Sequence, residues 1–381
     1  MPVVTESKPL KCVIVTNMMA FYRLDLFNIL GQKKNISLHV IFSSETEDRT
    51  RFWEINKNAL QFAYTVLESG KVAKKKSALQ EGGNIIIPSG LYRHLKKINP
   101  DIIVAGEYNL SALFSLCFAR LHKKKYVSWS DGTLSSERNI SFLQKILRRF
   151  ICRFADNFIA SGTLTKEAQT AYGADPRKIS PALLTIGDSE KFLPSVKKTG
   201  KIPRILACSY LYRRKGLHLL LSALPLLKTP FLLDIIGSGD EQENLMLQAE
   251  AAGLERQVFF RGYRQRRDIY CFFQEADFFV FPTLLEPFGL VAVEALYAGL
   301  PLIISIHAGC IADVLENGIN GFAVDPENTA ELAEKIGMLL TDNNLRKKMG
   351  KASLRISSKF SINKSADDFF RACVLNGDLN A

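Results

Sequence analysis

Short apolar runs alternate along the chain with longer segments in which apolar residues recur at helical spacing. The short runs predict buried strands of parallel sheets, and the longer segments predict the helices that connect them. Strands are predicted at Cys12–Thr16, Leu38–Phe42, Asp101–Ala105, Tyr126–Trp129, Asn157–Ala160, Arg204–Cys208, Phe231–Ile236, Gln257–Arg261, Phe278–Pro282, Pro301–Ser305 and Gly321–Val324. Helices are predicted at Tyr22–Leu30, Gly90–Ile98, Leu110–Leu121, Ser141–Phe154, Thr163–Tyr172, Gly216–Leu227, Glu241–Ala252, Arg266–Gln274, Gly289–Ala298, Glu327–Leu340, Asn344–Ser357 and Asn363–Leu375. This alternation indicates an α/β protein.

The segment 194–203 interrupts the alternation, because it lacks apolar periodicity and contains proline, glycine and lysine. It is interpreted as a linker between two doubly wound, Rossmann-like domains, 1–193 and 204–360, which are followed by a helical segment at 361–381. Ligands are expected in a cleft where the carboxyl ends of the two sheets face each other.

Two glutamates flank a predicted helix start in Glu286-Pro-Phe-Gly-Leu-Val-Ala-Val-Glu294. The helix is expected to start at Pro287–Gly289, since proline is tolerated in a first turn, and to end near Gly299. Its free N–H groups would attract an anion, and carboxylates can accept sugar hydroxyls. Glu294 lies among apolar residues, where a charge needs a partner or a ligand. The pair suits a ligand that is both sugar and phosphate, although such spacing is also common on solvated helices.

Three cations, Arg213, Arg214 and Lys215, follow the first strand of the second domain. Arginine can bind phosphate oxygens through two hydrogen bonds, and lysine acts as a point charge. Alone they would suit a solvated basic loop, but their place in the same domain as the carboxylates favours phosphate binding. Gly237 and Gly262-Tyr263 end two further strands and predict either plain turns or contacts with a nucleotide.

Composition and charge limit the classes of protein to which the chain can belong. With 381 residues, 47% of them hydrophobic, the chain is long enough for two globular domains. No apolar stretch is long enough for a membrane span, and the start lacks the apolar core of a signal peptide. Seven scattered cysteines indicate a reducing cytoplasm. The net charge of +12 favours an anionic partner such as a nucleotide or an acidic lipid surface.

Motifs for metal binding and for a catalytic triad are missing from the sequence, which has no Asp-x-Asp and no His-Glu-x-x-His. The five histidines are dispersed, so each is expected to be structural or at the surface: His39, His94, His122, His218 and His307. A diphosphate would then be met by Arg, Lys and helix dipoles, with no metal or other cofactor.

The second half contains a series of motifs: Arg214-Lys215-Gly216, Gly237-Ser-Gly239, Val258–Gly262, Ala276-Asp277, Glu286–Glu294, Gly299–Pro301 and Asn320–Phe322. Taken together, they resemble glycosyltransferase family 4, whose members are retaining, metal-independent enzymes of the GT-B fold. In the first half, Met19–Phe27, Arg51–Trp53 and Trp129–Thr133 look like a subgroup that builds bacterial surface polysaccharides. The resemblance implies sugar transfer from a nucleotide-diphosphate sugar to a hydroxyl of a glycan or lipid-linked acceptor. It also implies that the final helix crosses back to the first, acceptor-binding domain.

The resemblance implies roles for individual residues as well. Lys215 and Arg214 would stabilise the diphosphate leaving group, Glu286 would hold the donor sugar, and Glu294 would bind the ribose hydroxyls. The nucleotide-sugar site would be completed by Phe288, Gly289, Leu290, Gly237, Gly262, Tyr263 and Thr283.

Some positions depart from the family pattern. Tyr210 stands where an arginine is common, so Arg213 or Arg214 would supply that charge. Ser130-Asp131 stands where many members have a histidine, and Asp131 is assigned to a sugar or acceptor hydroxyl. Arg23 would face the phosphates or the acceptor.

The segment 140–154 predicts a basic amphipathic helix. Its apolar residues would form a core stripe beneath a solvated basic face, or the helix would dock on an anionic bilayer at the inner face of the cell membrane. The apolar residues are Phe142, Leu143, Ile146, Leu147, Phe150 and Phe154, and the basic ones are Lys145, Arg148, Arg149 and Arg153. Lys74–Lys76 and Lys123–Lys125 add to the basic surface.

Other classes of protein remain as alternatives. A nucleotide-sugar epimerase of the same fold would need acid and base groups beside the sugar. A non-catalytic protein that binds nucleic acid or membranes would fit the charge alone. We expect no nucleic-acid partner, since aromatics interleaved with basic residues are not evident.

Overall fold

The computed structural model describes residues 9–44, 55–68, 70–73, 84–194 and 202–374. They form two compact α/β units: the first holds the described residues up to Gly187 and again from Ile362, and the second holds those within Asp188–Ser361. None of the described helices has both the length and the hydropathy to cross a membrane. The predicted features at Arg51–Trp53 and Lys74–Lys76, and residues 195–201 of the predicted linker, lie outside the described residues.

The first unit is built on a parallel sheet. Its strands are β1 (Leu10–Thr16), β2 (Ile36–Phe42), β3 (Ala63–Val66), β4 (Gly70–Ala73), β5 (Asn84–Ile87), β6 (Ile102–Gly106), β7 (Lys125–Ser130), β8 (Asn157–Ala160) and β9 (Ile179–Pro181). Its helices before Gly187 are α1 (Phe21–Gly31), α2 (Leu91–Ile98), α3 (Leu110–Leu121), α4 (Phe142–Phe154) and α5 (Thr163–Ala171). The sheet order is β3-β2-β1-β6-β7-β8-β9, and β4 pairs separately with β5.

Both faces of the first sheet are covered. Cys12 and Ile14 of β1 pack into one apolar core with α1, while Val13 and Val15 pack into another with α2 and α3. Because strands buried on both faces have no polar side, they appear as continuous apolar runs in the sequence.

The second unit repeats this architecture. Its strands are β10 (Arg204–Cys208), β11 (Leu232–Ile236), β12 (Val258–Gly262), β13 (Phe278–Phe281), β14 (Leu302–Ser305) and β15 (Gly321–Val324). Its helices are α6 (Leu217–Ala223), α7 (Gln242–Ala251), α8 (Arg266–Glu275), α9 (Leu290–Tyr297), α10 (Ile311–Val314), α11 (Thr329–Thr341) and α12 (Asn343–Ser357). All strands are parallel in the order β12-β11-β10-β13-β14-β15, so the order reverses between β10 and β13. Open α/β sheets bind ligands at the carboxyl ends of the strands at such a reversal.

The last described helix, α13 (Ile362–Val374), packs on the first unit. Ser365 donates a hydrogen bond to the Leu183 carbonyl (2.8 Å), and the ring of Phe369 lies 5.1 Å from that of Trp129. These contacts place the helix against β7 and the segment after β9.

The division between the units lies after Gly187, earlier than the predicted boundary at 193. The reason is that the intervening segment packs on α8 of the second unit. The buried ring of Phe192 lies 5.2 Å from that of Phe273, and Asp188 forms an ion pair with Arg266.

The predicted strands and helices are confirmed among the described residues, with shifted ends, while the short helix α10 and four strands were missed. Those four are β3, β4, β5 and β9, which are short; β3 is half-exposed and β9 ends in a proline. One helix is shorter than predicted: α6 stops at Ala223 because Pro225 has no backbone N–H to continue it.

Candidate active site

The loops after β10 and β11 lie against each other at the carboxyl edge of the second sheet. The Leu211 N–H donates to the Ser238 carbonyl (2.9 Å), and the Gly237 N–H donates to the Gly262 carbonyl (3.0 Å). A Cβ on Gly237 would lie 1.8 Å from the Ser209 carbonyl oxygen, so only glycine allows this approach. The structure therefore brings the predicted Gly237 and Gly262 together.

The cations Arg213–Lys215 form a 3₁₀ turn that ends at Gly216, whose φ is +68°. A Cβ on Gly216 would lie 1.9 Å from the Pro282 carbonyl oxygen, so the turn is held against the end of β13. The buried Thr283 hydroxyl donates to the Arg214 carbonyl (3.1 Å). Thr283, predicted to bind the nucleotide sugar, therefore uses its hydroxyl to fix the basic turn.

Lys215, Arg214 and Glu286 form a buried ionic cluster. The Lys215 ammonium is hydrogen-bonded to Glu286 Oε2, and Arg214 Nη1 lies 3.4 Å from the same oxygen. Burial alone would raise the pKa of Glu286, but the two cations outweigh it, so this pKa lies below its ordinary value. Two cations thus meet one carboxylate, which leaves an excess positive charge at the reversal point of the sheet. Arg213, in contrast, is more than half exposed and points toward Glu241 at 3.9 Å.

The start of α9 differs from the prediction. The helix begins at Leu290, and Pro287 lies outside it, because Gly289 adopts a left-handed conformation with φ of +104° just before the helix. A Cβ there would lie 2.7 Å from the Phe281 ring, so glycine is required. The backbone of Phe288 also helps to lower the pKa of Glu286. Contacts of Phe288, Gly289 and Leu290 with a ligand stay predictions.

Glu294 lies on α9 and is 3% exposed. Its Oε1 is paired with Arg266, whereas its Oε2 has no hydrogen-bond partner among the described residues. Burial raises the pKa of Glu294, and Arg266 opposes that rise. A buried carboxylate oxygen without a donor is costly, and a ligand hydroxyl would satisfy it.

Arg266 and Asp188 are site residues that the sequence reading missed. Arg266 donates to both oxygens of Asp188, at 3.0 and 2.6 Å, and the Tyr270 hydroxyl also donates to Asp188, at 2.5 Å. Burial would raise the pKa of Asp188, but Arg266 lowers it below its ordinary value. Asp188 precedes Arg266 by 78 residues, and no sequence pattern connects the two.

Gly262 and Tyr263 close β12 at the same edge. Gly262 needs glycine for its φ of +68° alone, since a Cβ there would meet open space. The Tyr263 hydroxyl is 3.4 Å from Gln265 Oε1. Contacts of these two residues with a base stay predictions.

The first unit has its own polar cluster where its strand order reverses, between β1 and β6. Arg23 donates to Thr16 Oγ1 (3.1 Å) and Asp131 Oδ2 (2.5 Å), lies 3.4 Å from Glu107 Oε1, and stacks 4.2 Å from the Trp129 ring. The structure thus joins the predicted Arg23 and Asp131 and adds Glu107.

Asp131 and Glu107 differ in how far their carboxylates are engaged. Asp131 uses one oxygen for Arg23 and the other for the Ser161 hydroxyl. Glu107 has an unusual φ of +65° and a side chain 31% exposed. Burial and the nearby Asp131 raise the pKa of Glu107 to about 8, against the opposing charge of Arg23. Strained backbone is common at binding sites. The ligand roles predicted for Arg23 and Asp131 stay predictions.

The interpretation of α4 as a core stripe under a basic face is wrong for five of its six apolar residues, while the sixth, Leu147, packs against the core. Phe142 and Leu143 are each 75% exposed, and three further apolar side chains are more than two-fifths exposed: Ile146, Phe150 and Phe154. Arg148, predicted for the solvated face, is buried and forms a bidentate pair with Glu137 at 2.6 and 2.8 Å. This pair turns the apolar stripe outward.

One of the five histidines, His307, lies near two carboxylates at the surface. Potential ligand atoms of His307, Asp325 and Glu327 lie within 4.8 Å of one another, and no second group of this kind occurs among the described residues. Glu327 donates its N–H to Asp325 Oδ1 (3.0 Å), and Glu327 is exposed.

Comparisons with known proteins agree with this fold. A family model described as Glycosyl transferases group 1 matches residues 188–355. The glycogen synthase of Mycobacterium tuberculosis is 27% identical over 302 residues, which cover 73% of this chain and 70% of that protein. The crystal structure of Anabaena Alr3699/HepE in complex with UDP has a TM-score of 0.76 at 17% identity, covering 95% of this chain and 99% of that one. The lipopolysaccharide outer core galactosyltransferase WaaB has a TM-score of 0.74 at 16% identity, with the same coverage.

The fold and the match define the class of protein. The chain has two Rossmann-like, parallel-sheet domains and the GT-B fold. Residues 188–355, which lie in its second unit, match the glycosyl transferases group 1 model, and the chain is a glycosyltransferase.

Proposed function

We propose that this glycosyltransferase is a retaining enzyme of family 4. It moves a sugar from a nucleotide-diphosphate sugar to a hydroxyl of a glycan or lipid-linked acceptor, in the synthesis of cell-surface polysaccharide. The observation that carries this proposal is the buried cluster of Lys215 and Arg214 around Glu286, at the point of the sheet where ligands bind.

The donor site is supported by charge and by similarity. The excess cation of the cluster suits a diphosphate, and the unpartnered Oε2 of Glu294 suits a ribose hydroxyl. Anabaena HepE, which shares the fold, was solved in complex with UDP. The surface-polysaccharide role is supported by the fold shared with WaaB, while the similarity to a glycogen synthase favours a glycan acceptor.

The proposed reaction proceeds on one face of the sugar. The bond between the anomeric carbon and the diphosphate oxygen breaks first, and Lys215 and Arg214 stabilise the charge on the leaving oxygen. The acceptor hydroxyl oxygen then bonds to the same face of the anomeric carbon, and its proton passes to the leaving phosphate oxygen. Configuration is retained, and no divalent metal is required, because two cations of the chain hold the diphosphate.

The donor is identified by incubating the protein with a panel of nucleotide-diphosphate sugars and measuring release of the nucleoside diphosphate. At least one donor should be cleaved, slowly without acceptor and faster with a glycan acceptor, and EDTA should leave the rate unchanged. Loss of activity in EDTA would contradict the metal-free mechanism. An altered sugar still attached to its nucleotide would indicate an epimerase.

We also propose that the first unit, which would bind the acceptor, docks on the cytoplasmic surface of the membrane. The exposed apolar residues of α4 share the helix with three exposed cations, Lys145, Arg149 and Arg153. Apolar insertion and attraction to anionic lipid headgroups both favour docking of such a helix. Arg120 of α3 donates to the Phe154 carbonyl at the end of α4, and Phe114 and Leu121 of α3 are exposed as well.

Flotation with vesicles that contain phosphatidylglycerol tests this surface. The wild type should float at low salt and much less at high salt, since screening weakens the charge attraction. The double variant Leu143→Asp/Phe150→Asp should remain at the bottom. The matched control is Met246→Asp/Leu247→Asp, at exposed positions of α7 in the other unit, and it should float like the wild type. A wild type that fails to float at low salt would exclude membrane docking.

A further inference from the structure

Arg266 links the proposed ribose-binding carboxylate to a second carboxylate. Its Nε and Nη2 donate to the two oxygens of Asp188, and its Nη1 donates to Glu294 Oε1. The guanidinium also stacks on the Phe192 ring, with its central carbon 4.8 Å from the ring centre. The ion pairs and the stacking on the ring together limit how far Arg266 can move.

The two carboxylate oxygens of Glu294 have different surroundings. Oε1 is taken by Arg266, and Oε2 is buried without a donor among the described residues. Acidic residues at this kind of site accept hydrogen bonds from ribose hydroxyls in Rossmann-like folds. Oε2 is therefore the oxygen that is left for a ligand.

We propose that Arg266 is the positioning residue for ribose recognition: it holds Glu294 in one orientation, so that Oε2 accepts the ribose hydroxyls. Asp188 holds Arg266 in place in turn, with Tyr270 donating to Asp188. The inference rests on the proposed nucleotide-sugar function and deepens it by assigning how the ribose is selected.

Arg266 also favours the ionised form of Glu294, which burial disfavours. Burial raises the pKa of Glu294, and Arg266 is the first of the groups that lower it. An ionised carboxylate accepts hydrogen bonds roughly twice as strongly as a neutral group. Without Arg266, Glu294 would be neutral or rotated and would bind the ribose hydroxyls more weakly. Contacts of the protein with the rest of the ligand would be unaffected.

The experiment compares two ligands by isothermal titration calorimetry. One is uridine or guanosine diphosphate, whichever the wild type binds more tightly, and the other is its 2′,3′-dideoxy analogue. Arg266→Gln should weaken binding of the ribose ligand about 10- to 100-fold, the range for hydrogen bonds to charged groups. It should change binding of the dideoxy analogue less than about threefold, because that ligand has no hydroxyls for Glu294. Arg266→Lys should restore part of the loss, and the donor KM should change more than kcat.

A neighbouring arginine provides the matched control. Arg267 lies on the same helix with its side chain 79% exposed, so Arg267→Gln should bind both ligands like the wild type. Asp188→Asn keeps the Arg266–Glu294 pair and should show a smaller loss for the ribose ligand alone. If a thermal melt shows that Arg266→Gln is unfolded, Asp188→Asn is used in its place to test the inference.

Equal weakening of both ligands in the Arg266 and Asp188 variants would overturn the inference, because the residues would then act on the fold as a whole. Unchanged binding in both variants would overturn it as well. A wild type that binds neither of these diphosphates nor adenosine diphosphate would overturn the proposed function itself, and the inference with it, so the two failures are distinguishable.

Discussion

Replacing Lys215 by alanine is expected to lower turnover by about 10²–10³-fold, the scale for the loss of one charged contact to a transition state. The ammonium is buried beside Glu286 and Arg214, at the place where the leaving diphosphate would gather charge. The loss should appear mainly in kcat, because charge on the leaving oxygen develops as the bond breaks. The measurement is steady-state release of nucleoside diphosphate with the preferred donor.

Two controls separate this effect from general damage. Lys348→Ala removes an exposed lysine of α12 and should leave kcat unchanged. Arg213→Ala removes the exposed cation of the same turn and should cost far less than Lys215→Ala, since Arg213 points away from Glu286. Full activity in Lys215→Ala would end the catalytic assignment.

Replacing Glu286 by glutamine is expected to destabilise the free protein by about 3–5 kcal/mol, because a buried pair broken on one side leaves an uncompensated charge. Lys215→Met should cost less than this, since Arg214 still faces Glu286. The double variant Lys215→Met/Glu286→Gln should be more stable than the sum of the single effects predicts, by about 1–3 kcal/mol, while remaining inactive. Urea unfolding of the four proteins measures this coupling.

The pH dependence of stability gives a second view of Glu286. Its pKa in the folded protein lies below the ordinary value of 4.5, so its stabilising contribution is complete above that value. The contribution is lost as the pH falls through the folded-state pKa, and Glu286→Gln should flatten this part of the profile. Lys215 and Glu286 would not be coupled if the effects of the two single variants on the free energy of unfolding add up and if Glu286→Gln leaves the pH dependence of stability in acid unchanged.

The fold was predictable because buried strands appear as continuous apolar runs. β13, for example, is a run of four fully buried apolar residues, Phe278–Phe281. β3 and β9 escaped prediction because edge strands are short and partly exposed, so their sequences resemble loops. The start of α9 was misplaced because Pro287 favours a helix start, whereas the close packing of Gly289 on Phe281 decides it.

The candidate site was predictable only in part. Lys215 and Glu286 follow two adjacent parallel strands, and such strand ends must lie near each other, so their meeting follows from the topology. The pairing of Arg266 with Asp188 depends on how the segment after Gly187 packs on α8, which no local pattern encodes. Periodicity could likewise show that α4 has an apolar stripe but not which way it faces; the ion pair of Arg148 with Glu137 decides that.

Whether this site cleaves a nucleotide-diphosphate sugar with retention is measured by ¹H NMR of the anomeric protons during donor cleavage. Spectra are recorded before the released sugar can mutarotate. The first free sugar to appear is expected to have the anomeric configuration of the donor, and its formation is expected to depend on Lys215. First appearance of the opposite anomer, or cleavage that persists at full rate in Lys215→Ala, would contradict the proposed mechanism.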